Sequence, residues 1–468
     1  MFKDKSKRYI TIIVFIFIAA IALRLALSWV NREANDDHMS VCSIMINEGR
    51  LPVAADCLEC YNPKLYYFFV VGGIKWGHLM DGTSQVRLAQ MVSCFSGILT
   101  VVFCFLFLAS QPLRRRVKLM AFGMVALNPR LIAINAQATN DSLAILFCTG
   151  TIYFFYRFLR KGGGLRFAAM VIFSILAALT KGTALVLFPI IVLILMLKVL
   201  TGQGTWLDKV KHRYNLYLLA YGVFFLAIVP WGGQYVRINA QHVPVFTLKY
   251  DRSYPFPDFW KETYYGRPGI TSVANSYLTF RFMDMLKHPM ITNGEEIIPL
   301  HRTSFWSQLY GRAHFIYFDA WPYSWQTWNP DLIDLGRVIL VIALLPTGLF
   351  LWGFIREVGR WATAVARFDL GFVALSHEWM FLFFFTAYIV FLLYGTAIYR
   401  DFCFIKAIFV FPAILAAAHI FTVGLDPAYK ALDKARWKLI LDLGLGSLLV
   451  LYGWSVVSLI LKLSRYGW

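Results

Sequence analysis

Residues 9–30 read YITIIVFIFIAAIALRLALSWV, an uninterrupted apolar run in which Arg24 is the only charge. A helix of this length rises far enough to cross the roughly 30 Å of hydrocarbon in a bilayer. It must be a helix, because backbone amides in hydrocarbon have no water to bond and need partners within the same segment. The preceding MFKDKSKR supplies four cations, as the charged end of a secretory signal would. The run, however, continues to Trp29, too long for a signal core, and no small-residue cleavage site follows, so it reads as a retained first span.

Working outward, comparable runs recur near 88–109, 117–136, 142–158, 166–180, 183–199, 215–233, 333–354, 378–398, 404–422 and 439–461, eleven spans in all. Composition agrees: 59% of the 468 residues are hydrophobic and 15% charged, where a soluble domain carries about a quarter charged. The formal charge of +19 does not point to nucleic acid. The cations sit in short loops, at Arg114–Lys118, Arg157–Arg166, Lys198–Arg213, Arg356–Arg367 and Lys430–Lys438, on the same side as the N-terminal tail. That is the positive-inside pattern, and it makes this side cytoplasmic.

Three regions follow: an N-terminal transmembrane module, residues 1–233, with its first outer loop at 31–87; a large extracytoplasmic loop region, 234–332; and C-terminal transmembrane helices, 333–468. The apolar stretch 65–80 is too short to span and is expected in the interface or as a re-entrant segment. Residues 234–332 are too long for a connector, and loops of such length are functional or disordered. GGG at 162–164 turns a cytoplasmic hairpin.

Of the seven cysteines, Cys94, Cys104 and Cys148 lie inside apolar runs and read as filler. Cys57 and Cys60 form a CxxC without the second pair that a zinc site needs. In an oxidising compartment a disulfide drawn from Cys42, Cys57 and Cys60 is the better expectation.

Chemistry gathers at outer span ends. Asp36-Asp37 follows the first span directly. Adjacent carboxylates repel, and near a bilayer their charged forms are poorly solvated, which draws such groups towards general-base behaviour; a solvated Asn-Asp turn is the plain alternative. Asn140-Asp141 opens the fourth span, where an aspartate also suits a helix N-terminus. Lys181, in LTKGTA, stands between apolar runs and suits a phosphate at the membrane surface, as do Arg400 and Lys406 in YRDFCFIKA; lipid headgroups are the competing partner. Arg24 either snorkels or braces the site. His301-Arg302 and Arg312/His314, within PLHRTSFWSQLYGRAHFIYFDAW, combine cations with rings suited to sugars and phosphates, or to an ordinary interfacial loop. A metal held by Asp36, Asp37 and His38 with His301 or His314 is conceivable, although the spacing fits no metal motif.

In order along the chain, Arg24, Asp36-Asp37, the GRLP step at Gly49–Pro52, YNPKLYYFF at Tyr61–Phe69, Asn140-Asp141, LTKGTALVLFP at Leu179–Pro189, and Lys406 before Phe411-Pro412 resemble the GT-C membrane glycosyltransferases. The branch they resemble contains the protein O-mannosyltransferases and the lipid A aminoarabinose transferase. The likeness covers residues 10–200 well and the C-terminal spans weakly.

The resemblance implies an all-α polytopic fold with outer interfacial helices beside the active site. It implies a polyprenyl-phosphate-linked sugar donor and a protein, lipid or glycan acceptor. It gives a catalytic role to the first-loop aspartate, Asp36 in preference to Asp37, with Asp141 in support. Donor phosphate would meet Lys181, Arg400, Lys406 and Lys64; Tyr61, Tyr66, His301, Arg302 and Arg312 would line the substrate. Where relatives carry a Glu-Lys pair and a second proline, this chain has Tyr61-Asn62 and Lys64, so Lys64 is a substitute phosphate contact. No cofactor is obligatory on this reading, and a divalent metal is compatible with it. A bacterial inner membrane with the site facing the periplasm is the expected location. The competing readings are a transporter or flippase, which would show repeated halves and midplane polar groups, and a lipid-linked glycan polymerase or ligase, which shares the topology.

Overall fold

The computed structural model describes residues 2–34, 36–53, 56–200, 215–224, 273–290, 300–318, 325, 330–367, 377–398, 406–432 and 434–465. Every regular element among them is helical, as expected of a polytopic membrane protein. The helices are α1 (Phe2–Val30), α2 (His38–Asn47), α3 (Leu65–Trp76), α4 (Gly82–Ser110), α5 (Arg115–Ala126), α6 (Pro129–Asn135), α7 (Asp141–Lys161), α8 (Gly164–Thr180) and α9 (Leu187–Leu200). There follow α10 (Asn215–Phe224), α11 (Val273–Leu278), α12 (Phe282–Lys287), α13 (Phe305–His314), α14 (Pro330–Ile342), α15 (Leu344–Ala366), α16 (Trp379–Ile398), α17 (Ile414–Ala431) and α18 (Ala435–Arg465).

Among the described residues eight helices are long and apolar enough to cross a bilayer, or nine if the pair α5–α6 is one span. This is fewer than the eleven runs, for identifiable reasons. The run 117–136 is broken at Leu127-Asn128, and its halves meet at 44°. Pro129 cannot continue the ladder of α5, but it suits the first turn of α6, where the Asn128 side chain accepts from the Leu131 amide at 2.9 Å. The run 166–180 is α8, whose 17 residues rise about 26 Å, just short of a full crossing. The run 215–233 is described only over α10. The stretch 65–80 yields the 12-residue α3, also too short to span.

Burial orders the bundle. α7 is buried on nearly every face and packs on α4 and α8, whereas α1 turns Ile10, Ile12, Val14, Phe15 and Ile18 outward. A helix apolar all round belongs in the centre of such a bundle or against lipid. At the cationic end, Arg116–Asp442 (3.0 Å) and Arg114–Asp426 (3.7 Å) tie the start of α5 to α18 and α17, and Lys430 pairs with the same Asp426 within α17 (2.6 Å).

The corner between α6 and α7 is held by the first span. Arg24 is fully buried; its Nε donates to Asn135 Oδ1 (2.9 Å) and its Nη1 to the carbonyls of Ala20 (2.9 Å) and Ala126 (2.8 Å). It therefore braces and does not snorkel. Asn135 donates onward to the Ser142 hydroxyl at 3.0 Å, on the first turn of α7. The approach needs a glycine on α4: a Cβ at Gly97 would lie 2.1 Å from the Asn135 carboxamide.

Gly97→Ala should therefore displace Asn135 from Arg24 and cost about 1–3 kcal/mol by overpacking. A drop in the midpoint of thermal unfolding, followed by tryptophan fluorescence in detergent, checks this; an unchanged midpoint would show the α4–α6 contact to be slack.

Candidate active site

The chain leaving α1 is strapped down before it reaches the acidic pair. Asn31 Nδ2 donates to the Ala136 carbonyl (2.8 Å), Trp325 Nε1 donates to Asn31 Oδ1 (3.3 Å), and Gln90 Nε2 donates to the Glu33 carbonyl (2.9 Å). Three residues after Glu33 the backbone turns through Asp36 at φ +52°, a left-handed conformation in which Asp and Asn are enriched among non-glycine residues.

The two aspartates then part in role. Asp36 is exposed. Asp37 precedes α2 and accepts from the Ser40 hydroxyl through Oδ1 and from the Leu58 amide through Oδ2 at 2.7 Å, with no side-chain bond to the helix backbone. His38 is buried and shares a hydrogen bond through Nδ1 with the Tyr67 hydroxyl on α3, at 2.8 Å.

Asp141 and Lys181 meet at the same end of the bundle. Lys181, at the end of α8, lies 2.5 Å from Asp141 Oδ1, both side chains being largely buried. Thr139 Oγ1 donates to Asp141 Oδ2 at 3.0 Å. The loop carrying Asp141 is fixed from three sides: Asn31 holds Ala136, Ser93 Oγ donates to the Thr139 carbonyl (2.9 Å), and Asn140 Nδ2 donates to the Thr180 carbonyl (3.3 Å). Helix α4 joins the acidic loop to the ion pair, since Gln90 holds Glu33 before Asp36 and Ser93 holds Thr139 before Asp141.

The remaining cations are not equivalent. Lys181 Nζ also sits 5.6 Å from the centre of the Phe409 ring, in the short turn Ala407–Phe409 that Lys406 opens. Lys64 is buried and donates to the carbonyls of Cys60 (2.5 Å) and Asn62 (2.9 Å); burial pushes its ammonium down to about 8. Its hydrogens thus serve the loop, and a phosphate would have to compete with those carbonyls. Arg400 lies outside the described residues.

Tyr61 is exposed at the loop surface. Tyr66 is buried and donates to the Ala89 carbonyl (2.9 Å), packing α3 on α4. His301, Arg302 and Arg312 are buried in the outer segment that packs against α6 and the Ala407–Phe409 turn. Burial, reinforced by His288 and Arg302, pushes His301 down to about 3, and burial takes His314 to about 4, so both rings are neutral at pH 7. His314 bridges Tyr452 and Thr347 (3.1 Å).

Two features differ from the sequence reading. Among the described residues the ligand atoms that gather, all within 4.8 Å of one another, are those of Asp36, His38 and Glu59, without His301 or His314. Glu59 carried no signal of its own; it is brought in by the turn of the CxxC. That turn is closed by a disulfide between Cys57 and Cys60, while Cys42 remains a buried thiol.

Residues 74–246 match the family model of dolichyl-phosphate-mannose-protein mannosyltransferase. Over that segment the chain is similar to protein mannosyltransferases. The matched stretch holds Asp141 and Lys181, and with it the GT-C resemblance carried by the order of motifs is borne out. No curated protein matches the chain. Among solved structures it is similar to the apo oligosaccharyltransferase of Archaeoglobus fulgidus, with a TM-score of 0.48 and 12% identity over 96% of this chain and 56% of that one. It is similar also to ArnT from Cupriavidus metallidurans bound to undecaprenyl phosphate, at 0.33 and 15% over 95% of this chain and 77% of that one. The chain thus spans little more than half the length of the oligosaccharyltransferase.

The ion pair makes a direct prediction. Lys181→Met leaves a largely buried carboxylate without its counter-ion and should cost about 3–5 kcal/mol. Adding Asp141→Leu should return most of that loss. Thermal unfolding of the single and double variants decides it; a single variant as stable as the parent would show that the pair contributes nothing to the fold.

Proposed function

We propose that the protein is an inverting glycosyltransferase that moves a sugar from a polyprenyl-phosphate donor to an acceptor at the outer face of the membrane. The observation that carries this reading is the Asp141–Lys181 pair together with the way α4 holds both the chain before Asp36, through Gln90 and Glu33, and the loop before Asp141, through Ser93 and Thr139. The family match over residues 74–246 supports the donor class, since its description names a dolichyl-phosphate sugar and a protein acceptor. Hexosyl and pentosyl transfer both fit, as do protein, lipid and glycan acceptors. The cation-rich loops at the opposite end favour a periplasm-facing site in a bacterial inner membrane.

The chemistry is a single displacement at the anomeric carbon. Asp36, exposed and at the membrane surface, takes the proton of the acceptor hydroxyl as that oxygen bonds to the sugar. The bond from the anomeric carbon to the lipid phosphate breaks, and its electron pair leaves with the phosphate. Attack from the face opposite the leaving group inverts the configuration.

Negative charge grows on the phosphate, and Lys181 is the group placed to meet it. An ammonium has three hydrogens, so one can stay on Asp141 while the others reach phosphate oxygens. Asp141 fixes the ammonium in advance, which removes reorganisation at the moment of transfer. Lys406 opens the turn that carries Phe409, the ring beside Lys181, and is assigned with Arg400 to the donor phosphate. Asp37 positions the loop. Tyr61, Arg302 and Arg312 are assigned to the sugar and acceptor side.

A divalent cation is compatible with this arrangement without being required. Asp36, His38 and Glu59 supply the mixed oxygen and nitrogen set that zinc or manganese accepts. Tyr67 on the other ring nitrogen of His38 would orient a ligating imidazole. Such an ion would supply Lewis acidity towards a bound hydroxyl.

Asp36→Asn should lower sugar transfer from dolichyl-phosphate mannose by about 100-fold or more while leaving folded protein in the membrane. The assay uses purified protein with a mixed hydroxyl-acceptor panel and counts sugar released from the lipid. Undiminished transfer would remove Asp36 from the reaction.

A further inference from the structure

The disulfide lies inside the candidate site, in a place where it does little for the fold as a whole. Cys57 and Cys60 are three residues apart, with Cα atoms 5.0 Å from each other. Closing so short a loop removes little chain entropy, so the bond is a poor staple for the whole protein. What it fixes is local. The Cys60 amide donates to the Cys57 carbonyl at 3.1 Å, closing the turn from within. The Leu58 amide, inside the turn, donates to Asp37 Oδ2 at 2.7 Å. Glu59, the next residue, reaches Asp36 and His38. The Cys60 carbonyl accepts from the Lys64 ammonium at 2.5 Å, and Lys64 leads directly into α3 with Tyr67, the partner of His38. Every residue from 57 to 60 therefore forms the bridge, bonds the acidic turn (Leu58) or brings its carboxylate within 4.8 Å of it (Glu59).

We propose that the Cys57–Cys60 disulfide is a redox-sensitive positioning element of this site, holding Asp37 and Glu59 in place only while oxidised. The inference rests on the transferase reading for its effect on activity. Reduction by a dithiol is balanced. Two electrons and two protons pass to the protein, the S–S bond becomes two thiols, and the reagent closes to a cyclic disulfide. Cys57 is half-buried and Cys60 fully buried, so Cys57 is the sulfur open to the first attack. The four other described cysteines are buried free thiols, so two new thiols identify this bridge.

The test uses full-length protein in nanodiscs, before and after dithiothreitol, with thiol gain confirmed by intact mass. Residue-resolved hydrogen exchange should show the Leu58 amide exchanging at least tenfold faster once reduced, with α7 as protected as before. Transfer from dolichyl-phosphate mannose should fall at least fivefold. Both should return on reoxidation with oxidised glutathione. The Cys57→Ser/Cys60→Ser variant should match the reduced protein and ignore dithiothreitol. An unchanged Leu58 amide in protein carrying two extra thiols overturns the proposal. So does a loosened loop with undiminished transfer. If neither state turns over dolichyl-phosphate mannose, the mannose form of the transferase reading fails, and the exchange contrast alone judges the lock.

Discussion

A guanidinium in the middle of an apolar helix is the constraint from which the rest of this structure follows. Backbone carbonyls freed by a break in a membrane helix have no water to turn to, and each one left unsatisfied costs several kcal/mol. The break after α5 frees such groups, and Arg24 supplies the donor to Ala126 while gripping Asn135 on the far side of the bend. Asn135 in turn holds Ser142, the residue after Asp141. The break in the span and the placement of the acidic group at the head of α7 are thus one structural event. A straight helix over 117–136 would need no arginine beneath it, and would not deliver this corner to the membrane surface.

The same economy governs the cations at that surface. Composition makes the outer segments look uniformly basic, yet burial divides them sharply. His301 and His314 are kept neutral by desolvation. Lys64 is drawn into the loop by two carbonyls. Lys181 differs because its partner is a carboxylate, which fixes the ammonium in place in a largely buried setting. A charge meant to meet a phosphate must be held in place before the phosphate arrives, and a lysine on a flexible stem is otherwise the wrong residue for that purpose.

How much of this was legible in the sequence depends on whether a feature is local. Hydropathy reads transfer into lipid, which each run decides for itself, so most helices are legible without knowing any partner. Their ends are not: the run 404–422 is the helix Ile414–Ala431, and the run 333–354 continues to Ala366. It overstates the number of spans at 117–136 because it averages across Asn128-Pro129, where the backbone and not the side chains sets the outcome. The Asp141–Lys181 contact joins residues 40 apart; each stands out in the sequence on its own ground, but nothing local pairs them. Glu59 was invisible: a glutamate in a polar loop gives no sign, and its place depends on a disulfide, a strap from Asp37 and the packing of α3. The CxxC showed that a bond was available, but not that it would face the acidic turn.

The division of work between Asp36 and Asp37 shows why adjacency alone could not assign them. Asp37 is hydrogen-bonded through both oxygens, to Ser40 and to the Leu58 amide. A carboxylate so engaged has both oxygens committed to the loop and is poorly placed to meet an acceptor hydroxyl. Asp36 stands exposed on a left-handed turn, a conformation that costs a non-glycine residue roughly 1–2 kcal/mol. Such a cost persists only where the surroundings over-determine it, and here they do: Asn31 and Gln90 pin the chain before the turn, and Asp37 with His38 pins it after. An extended backbone at Asp36 would be easier to form but would break one of those anchors. The strained turn is what lets one aspartate be tied down while its neighbour stays open to a substrate hydroxyl, and that separation of roles favours Asp36 as the base.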